Sequence, residues 1–383
     1  MSLLRTLRLA HERGSTEILV GPGAVAAAAR RWAPWLAGRT VFTVSSAPVR
    51  ALHGDVLEAL LAPAARRVDL EVPDGEAAKS MAVATGLWER MLAAGGKRDS
   101  RLVTFGGGSV GDLGGFVAGC FLRGIEVLQV PTTLLAQVDA AVGGKTGVDL
   151  PGGKNTVGVF HHPVAVASDT ALLATLPAGE LRSGMVEVIK MAALLDPALL
   201  AAVERDLPAL LAGDAAALAP VVAAAAAAKV AVVERDAREA GERRVLNFGH
   251  TLGHALEAAL GYRGLRHGEA VAYGMLFALR LAERRGLDAA EPALFARLRR
   301  LLTRLELPPL PTGDLDPADL VERLGRDKKA REGGLAWVLP AAAGGEAGEG
   351  RIVTGVRVDE LLAELPPFLA APFARVRYTS PSP

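Results

Sequence analysis

Short β-branched runs alternate with apolar helical segments through the first half of this 383-residue chain, and the alternation stops near Pro177. Thr40 to Val44, Arg67 to Val72, Arg101 to Phe105 and Glu126 to Val130 each have the length and composition of a strand, with helical patterns between them. Strands that take turns with helices can pair in parallel, because each helix carries the chain back across one face of the sheet. Beyond Pro177 the Ala/Leu-rich stretches Pro197 to Leu211, Leu252 to Leu260 and Ala270 to Arg285 repeat at helical spacing, and strand signals are sparse. The expectation is an α/β domain over residues 1–177 followed by a mainly helical domain over residues 178–383, with chemistry in a cleft where domains meet. Two later strand-like runs, Gly334 to Leu339 and Arg351 to Val356, flank a Gly/Ala/Glu-rich surface loop, Ala341 to Gly350. The tail from Pro372 to Pro383 carries no motif.

Charge and composition exclude some partners. A net charge of +1 with scattered basic residues leaves no footprint for nucleic acid, and 4% aromatic residues leave few rings on which bases could stack. Cys120 is the only cysteine, so no disulfide forms within the chain; its apolar surroundings predict a small buried thiol in a reducing compartment. The amino terminus has no long apolar core followed by a cleavage site, which argues against a signal peptide. The alanine-rich stretch Ala215 to Ala228 contains Pro220 and reads as a packed helix rather than a membrane span.

Basic residues are unevenly chosen: 35 are Arg and only 8 are Lys. All the lysines except Lys97 fall in Gly-rich or polar motifs, as do the only two asparagines, Asn155 and Asn247. A compact ammonium and a planar guanidinium are not interchangeable at a tight oxyanion site, which gives that placement a physical reason. After the strand ending at Phe105 comes Gly106-Gly107-Gly108-Ser109-Val110-Gly111-Asp112 and then a helical pattern. Glycines there allow backbone N–H groups and a helix amino terminus to approach a pyrophosphate, although the spacing is not G-x-G-x-x-G and a plain strand-to-helix turn has the same signature. Pro131-Thr132-Thr133-Leu134-Leu135-Ala136-Gln137-Val138-Asp139 leads into Gly143-Gly144-Lys145-Thr146-Gly147 and Gly152-Gly153-Lys154-Asn155. Two lysines and an asparagine among glycines make a polar nest for an anion, without Walker spacing; solvated loops are the alternative.

The helical half supplies a metal candidate. His250 and His254 stand at i and i+4, His267 and Glu269 follow a turn later, and Glu187 sits one turn before Lys190 in an apolar helix. A His/His/Glu set with an open position suits a zinc-like ion, but spacing does not say which two histidines take part, and Glu187 could simply pair with Lys190. Lys229, Asp236, Arg238, Glu239, Arg243 and Asn247 form a polar series upstream, with Arg243 able to fork a carboxylate; a solvated helix face explains part of it.

With these residues in view the chain resembles the 3-dehydroquinate synthase family of sugar-phosphate cyclases, from about Asp74 to Leu339. The matching motifs are those at 106–112, 131–139 and 143–147, Glu187-Val188-Ile189-Lys190, Leu246-Asn247-Phe248-Gly249-His250-Thr251 and Arg326-Asp327-Lys328-Lys329. The resemblance implies a Rossmann-like parallel-sheet domain plus a helical domain, in a cytoplasmic homodimer with no nucleic-acid or membrane partner. It implies NAD, a divalent metal (zinc or cobalt) and a seven-carbon keto acid phosphate as substrate. It gives Glu187, His250 and His267 as metal ligands and releases His254 for phosphate, together with Lys145, Asn155, Lys328 or Lys329, and Arg123 from a second subunit. Arg243, Asn247 and Lys229 would hold the carboxylate and hydroxyls, with Glu239 and Lys190 supporting and Asp139 and Lys154 in the catalytic set. NAD would lie along Asp74, Gly75, Glu76, Lys79, Gly107, Gly108, Ser109, Val110, Gly111, Asp112, Thr132, Thr133, Lys145, Lys154, Leu172 and Thr175. The implied cycle is transient oxidation of a ring hydroxyl, loss of phosphate, re-reduction and aldol closure.

The chain departs from the family pattern in three places. Ser45 and Ser46 stand where the family usually has an acidic residue for the adenosine ribose, Asp149 where Asn is frequent, and Ala141 where Ser is frequent. Competing readings are a metal- and NAD-dependent alcohol or glycerol dehydrogenase, a cyclase acting on sedoheptulose 7-phosphate, and a non-catalytic nucleotide-binding protein.

Overall fold

The computed structural model describes residues 3–287, 292–326, 335–340 and 350–373. Its eleven strands are β1 (Arg5–His11), β2 (Gly14–Val20), β3 (Thr40–Ser46), β4 (Arg66–Val72), β5 (Arg101–Gly106), β6 (Glu126–Pro131), β7 (Lys145–Leu150), β8 (Gly153–Phe160), β9 (Ala165–Ser168), β10 (Leu335–Pro340) and β11 (Gly350–Val356). Seven of them form one sheet in the order β1-β2-β9-β6-β5-β3-β4. All neighbours in it are parallel except β1, which pairs antiparallel with β2 at one edge. The strands read from β-branched runs are β3 to β6, the centre and one edge of this sheet. Alternate side chains enter separate cores: Phe42, Leu102 and Val127 pack on one face, Val41, Val103 and Leu128 on the other. Both faces are therefore apolar, as a helix-covered parallel sheet requires. From β3 the chain passes outward to β4, then returns to β5 and proceeds the opposite way to β6, so the sheet reverses direction between β3 and β5. The carboxyl ends at such a reversal are where open α/β sheets bind ligands.

Contacts divide the chain into two compact units, Met1–Gly184 with Asp206–Ala237, and Met185–Arg205 with Arg238–Pro383. The division thus falls seven residues after Pro177, and a helical segment returns to the first unit. The reason lies in the helix Ala215–Arg235, which packs along β1 and against the π-helical turn Ala136–Ala140. Among the described residues this helix alone is long and apolar enough to cross a membrane, and 61% of its most apolar window is buried. Asp214 caps it by accepting the amide hydrogens of Ala216 and Ala217.

The second unit is mainly helical, with the helices His250–Ala259 and His267–Arg284 and the larger part of Pro197–Leu211 on the stretches expected, and the antiparallel pair β10–β11. Three features differ from the sequence reading. The glycine- and lysine-rich stretch after Val142 is an antiparallel hairpin, β7 with β8, rather than a set of loops. The strand β9 and the β1–β2 hairpin carried no recognised signal. Cys120 ends the helix Gly108–Cys120 on its exposed side, so the buried-thiol expectation is corrected.

A single carboxylate fastens the end of β9 to the start of the first helix. Buried Asp169 accepts from the backbone N–H groups of Gly23, Val25 and Ala171 at 3.0, 3.1 and 3.1 Å. Its replacement by alanine leaves three amide donors without their acceptor, two of them at a helix start. We expect Asp169→Ala to lower the unfolding free energy by about 3 kcal/mol in urea titration, with an unchanged slope.

Candidate active site

In the first unit the sheet's reversal point is lined by the turns after β3, β4, β5 and β6. The helix Gly108–Cys120 begins immediately after β5 with Gly107 at its cap, so its first N–H groups face out from the strand end. Thr132 and Thr133 follow β6, and the Thr132 N–H donates to the Gly106 carbonyl at 2.9 Å, tying the two strand ends together. A small cavity here is walled by Gly106, Gly107, Gly108, Pro131, Ala136 and Ala140.

Charged groups border this glycine turn as one network. The Lys79 ammonium, almost fully buried, donates to Asp112 Oδ2 at 2.9 Å and to Asn155 Oδ1 at 2.5 Å. Burial alone would depress the Lys79 pKa, but Asp112 and Glu76 outweigh it and raise it, so the ammonium stays charged. Glu76 accepts from Ser109 Oγ at 2.9 Å and lies 3.3 Å from Lys154 Nζ. Burial works against the charge of Glu76, and the nearby Lys79 and Lys154 hold its pKa below the usual range all the same. Asp149 accepts the Asn155 N–H at 2.7 Å, which helps hold Asn155 at φ 52° in the left-handed region. Lys229 donates to the Asp139 carboxylate at 2.6 Å, and Thr175 Oγ1 stands 2.8 Å from His53 Nε2. Leu172 is buried just before Thr175, whereas Lys145 is exposed at the start of β7. Arg123 is also exposed, on a turn where Leu122 and Arg123 have φ of 50° and 67°.

Ser46, one of the departures from the family pattern, has a definite place. Its hydroxyl donates to Asp74 Oδ1 at 2.7 Å, so a carboxylate from the turn after β4 stands at the end of β3. Spacing alone does not reveal this pairing, because the partners are 28 residues apart.

In the second unit the helix Ala178–Leu195 buries Glu187 completely beside the equally buried Lys190. The Lys190 ammonium lies against Glu187 Oε2, and His250 Nε2 is 3.8 Å from Oε1. Oε1 has no hydrogen-bond partner among the described residues. Glu187, His250 and His267 each offer one ligand atom, and these atoms lie within 4.8 Å of one another. A second group, His254, Glu257 and His267, meets the same criterion and shares His267.

Two glycines make this convergence possible. Gly249 caps the helix His250–Ala259 at φ 81°, and a Cβ there would also sit 2.5 Å from the Val271 carbonyl oxygen. A Cβ on Gly274 would run into the Gly249 carbonyl oxygen. The helices His250–Ala259 and His267–Arg284 therefore touch backbone to backbone. Glu269 fixes where the second begins, accepting the Arg266 N–H at 2.7 Å and leaving His267 as the first helical residue.

Both imidazoles are engaged at Nδ1. The Phe248 carbonyl, 3.2 Å from His250 Nδ1, can only accept, so that nitrogen carries the proton and Nε2 keeps its lone pair. His267 Nδ1 is 3.2 Å from Glu257 Oε2. Burial, then Lys190 and the two other imidazoles, push the His250 pKa well down, which keeps the ring neutral at neutral pH. Burial also opposes charge on His267, but Glu257 overcomes it and raises that pKa. Glu257 was not read from the sequence, although it stands at i+7 from His250 on the stripe that includes His254. His254 is exposed, its ring 5.2 Å from that of His250. Nearby, Arg243 is buried, and Asn247 Nδ2 donates to Glu239 Oε1 at 2.7 Å with Glu239 at φ 57°. Lys328 and Lys329 lie outside the described residues.

The sequence of the 3-dehydroquinate synthase N-terminal family matches residues 69–183, and that of the C-terminal family matches residues 184–330. The chain belongs to the 3-dehydroquinate synthase family. It is 49% identical over 332 residues to a 3-dehydroquinate synthase of Symbiobacterium thermophilum, a match covering 85% of this chain and 91% of that one. Among solved structures it is similar to ValA, a 2-epi-5-epi-valiolone synthase from Streptomyces hygroscopicus subsp. jinggangensis with NAD+ and Zn2+ bound. That likeness has a TM-score of 0.82 at 29% identity, over 94% of this chain and 98% of that one. It is also similar to 2-deoxy-scyllo-inosose synthase complexed with carbaglucose-6-phosphate, NAD+ and Co2+, with a TM-score of 0.80 at 26% identity, over 94% and 99% of the chains. The α/β sheet followed by helices is thus the architecture of this enzyme group.

The backbone contact at Gly274 predicts a measurable effect. Gly274→Ala should separate the two histidine helices, lower stability by about 3 kcal/mol in urea titration and reduce bound divalent metal in the purified protein. Unchanged stability and metal content would contradict the packing argument.

Proposed function

We propose that this chain converts 3-deoxy-D-arabino-heptulosonate 7-phosphate to 3-dehydroquinate and phosphate, a phosphorus-oxygen lyase step that serves aromatic amino acid biosynthesis. The observation that carries this reading is the meeting of Glu187, His250 and His267 in a chain so similar to a 3-dehydroquinate synthase. The residues fit a resident cation: a buried carboxylate whose Oε1 has no hydrogen-bond partner among the described residues and two imidazoles engaged at Nδ1 make one oxygen and two nitrogen donors. Such a mixed set suits zinc or cobalt. When bound, NAD+ supplies a hydride acceptor that is restored within each turnover, and the divalent cation supplies a Lewis acid for a substrate oxygen.

The protein's own residues then bind, orient and balance charge. In the first unit, the helix start at Gly108 and the turns bearing Asp74, Glu76, Lys79 and Thr132 are assigned to the dinucleotide, with Leu172 and Thr175 beside it. Lys79 stays charged through Asp112 and so keeps Asn155 in place. Asp74, held by Ser46, is suited to a ribose hydroxyl in place of the acidic residue that the end of β3 lacks. Lys145, Lys154 and Asn155 are assigned to anionic oxygens, and Lys229, fixed by Asp139, to a substrate hydroxyl. In the second unit, His254 is assigned to the phosphate and Arg243 to the carboxylate. Asn247 takes a hydroxyl with its amide set by Glu239, and Lys190 balances the charge of Glu187. Lys328 or Lys329, and Arg123 of a second subunit in a cytoplasmic homodimer, complete the phosphate set.

Arg243 sharpens the substrate assignment. A buried guanidinium forks a carboxylate well and meets a neutral sugar poorly. Arg243→Ala should cost about 10- to 100-fold in kcat/KM for the keto acid phosphate, with bound metal unchanged. Equal loss of metal and turnover would make the residue structural. The reaction itself is tested with the keto acid phosphate and catalytic NAD+, following free phosphate, NADH absorbance and product mass together. Stoichiometric phosphate and 3-dehydroquinate without accumulating NADH are expected; steady NADH release without phosphate would contradict the proposal.

A further inference from the structure

The histidine helix carries a carboxylate to which no role has yet been assigned. Glu257 is 4% exposed and lies at i+3 from His254 and i+7 from His250, so the three side chains share one stripe. Its Oε2 is 3.2 Å from His267 Nδ1, across the close contact between the two helices. Burying a carboxylate among the Ala and Leu neighbours of this helix is unfavourable unless a charged or hydrogen-bonded partner answers it.

From this we infer that Glu257 is a positioning residue for the metal centre, holding His267 by its Nδ1–H so that Nε2 is presented for ligation. The inference rests on the metal reading proposed above. Three physical consequences of the contact support it. The carboxylate can only accept from Nδ1, so it fixes one tautomer of the ring. The hydrogen bond also restrains ring rotation, and His267 needs that restraint because it is the first residue of its helix, with only one flank held by helical backbone. Finally, a carboxylate behind the ring makes Nε2 more basic and better able to bind a cation. His250 has only a neutral carbonyl, that of Phe248, in the same position. The two ligands are therefore unequally supported, and His267 is the one whose donor strength depends on a distant side chain.

The closeness of His254, Glu257 and His267 allows a rival role in which Glu257 is itself a ligand of a second ion. The two roles predict different stoichiometry. Apoprotein of the full chain is titrated with Zn2+ against a chromophoric chelator, for the wild type and for Glu257→Gln and Glu257→Asp. Cobalt spectra and apoprotein melting are recorded on the same samples, and NAD+ binding serves as a control on the fold. We expect one Zn2+ per wild-type chain. Glu257→Gln should bind Zn2+ 10- to 100-fold more weakly, with shifted cobalt absorption bands, unchanged NAD+ binding and apoprotein melting close to wild type. Glu257→Asp, which keeps the charge on a shorter arm, should fall between the two.

Wild-type affinity and cobalt spectrum in Glu257→Gln would overturn the inference while leaving the metal centre standing. Two Zn2+ per wild-type chain, falling to one in Glu257→Gln, would overturn it in favour of a ligand role. A wild-type protein that takes up neither ion while binding NAD+ would remove the metal reading itself, and the inference with it. Should Glu257→Gln fail to fold, the Glu257→Asp titration decides alone, with wild-type affinity counting against the inference.

Discussion

A carboxylate sealed from water is stable only beside compensating positive charge, and Glu187, with its Oε1 left without a hydrogen bond among the described residues, is such a group. Lys190 answers part of that requirement, one turn along the same helix. The remainder would come from the proposed cation, which Glu187 would share with two imidazoles from the neighbouring helices, one kept neutral by burial and one backed by Glu257. The glycines that let two helices touch and the Glu269 cap that places His267 at a helix start serve this meeting.

The first unit works by a different principle. Its sheet reverses direction between β3 and β5, so several strand ends deliver backbone N–H groups and short polar side chains to one rim. Around that rim charges are paired in chains rather than couples: Lys154 with Glu76, Glu76 with Lys79, Lys79 with Asp112 and Asn155. In such a network Glu76 and Lys79 are each fixed by at least two neighbours, so a ligand that replaces one contact meets groups already oriented. Lysine is spared for such positions in a chain that otherwise uses arginine.

β3, β5 and β6 could be read from sequence because they are buried on both faces, which writes a largely apolar run rich in β-branched residues, whereas β9, equally buried, is only four residues long and too short to signal a strand. The β1–β2 hairpin was hidden because β1 is half-exposed and carries Arg5, Arg8 and His11, so it resembles a polar surface segment. Glycines concealed β7 and β8, since Gly143 to Gly158 reads as loop although its backbone pairs as a hairpin. The metal ligands were visible as types and spacings, but spacing left three histidines equal. The resemblance singled out His250 and His267, and the structure adds that these two and Glu187 offer ligand atoms within 4.8 Å of one another. Glu257 escaped notice because a lone acidic residue in an Ala/Leu helix looks like solvent-facing decoration until the neighbouring helix is in place. The domain boundary was blurred for a topological reason, because the helix Ala215–Arg235 returns to the first unit after the chain has already left it.

Anomalous diffraction at the zinc absorption edge, from crystals of the zinc-loaded protein with NAD+, tests the central claim most directly. The account predicts one strong peak per chain at about 2.0–2.2 Å from Glu187 oxygen and from the Nε2 atoms of His250 and His267. A peak bounded instead by His254 and Glu257, or no peak within reach of Glu187, would contradict it.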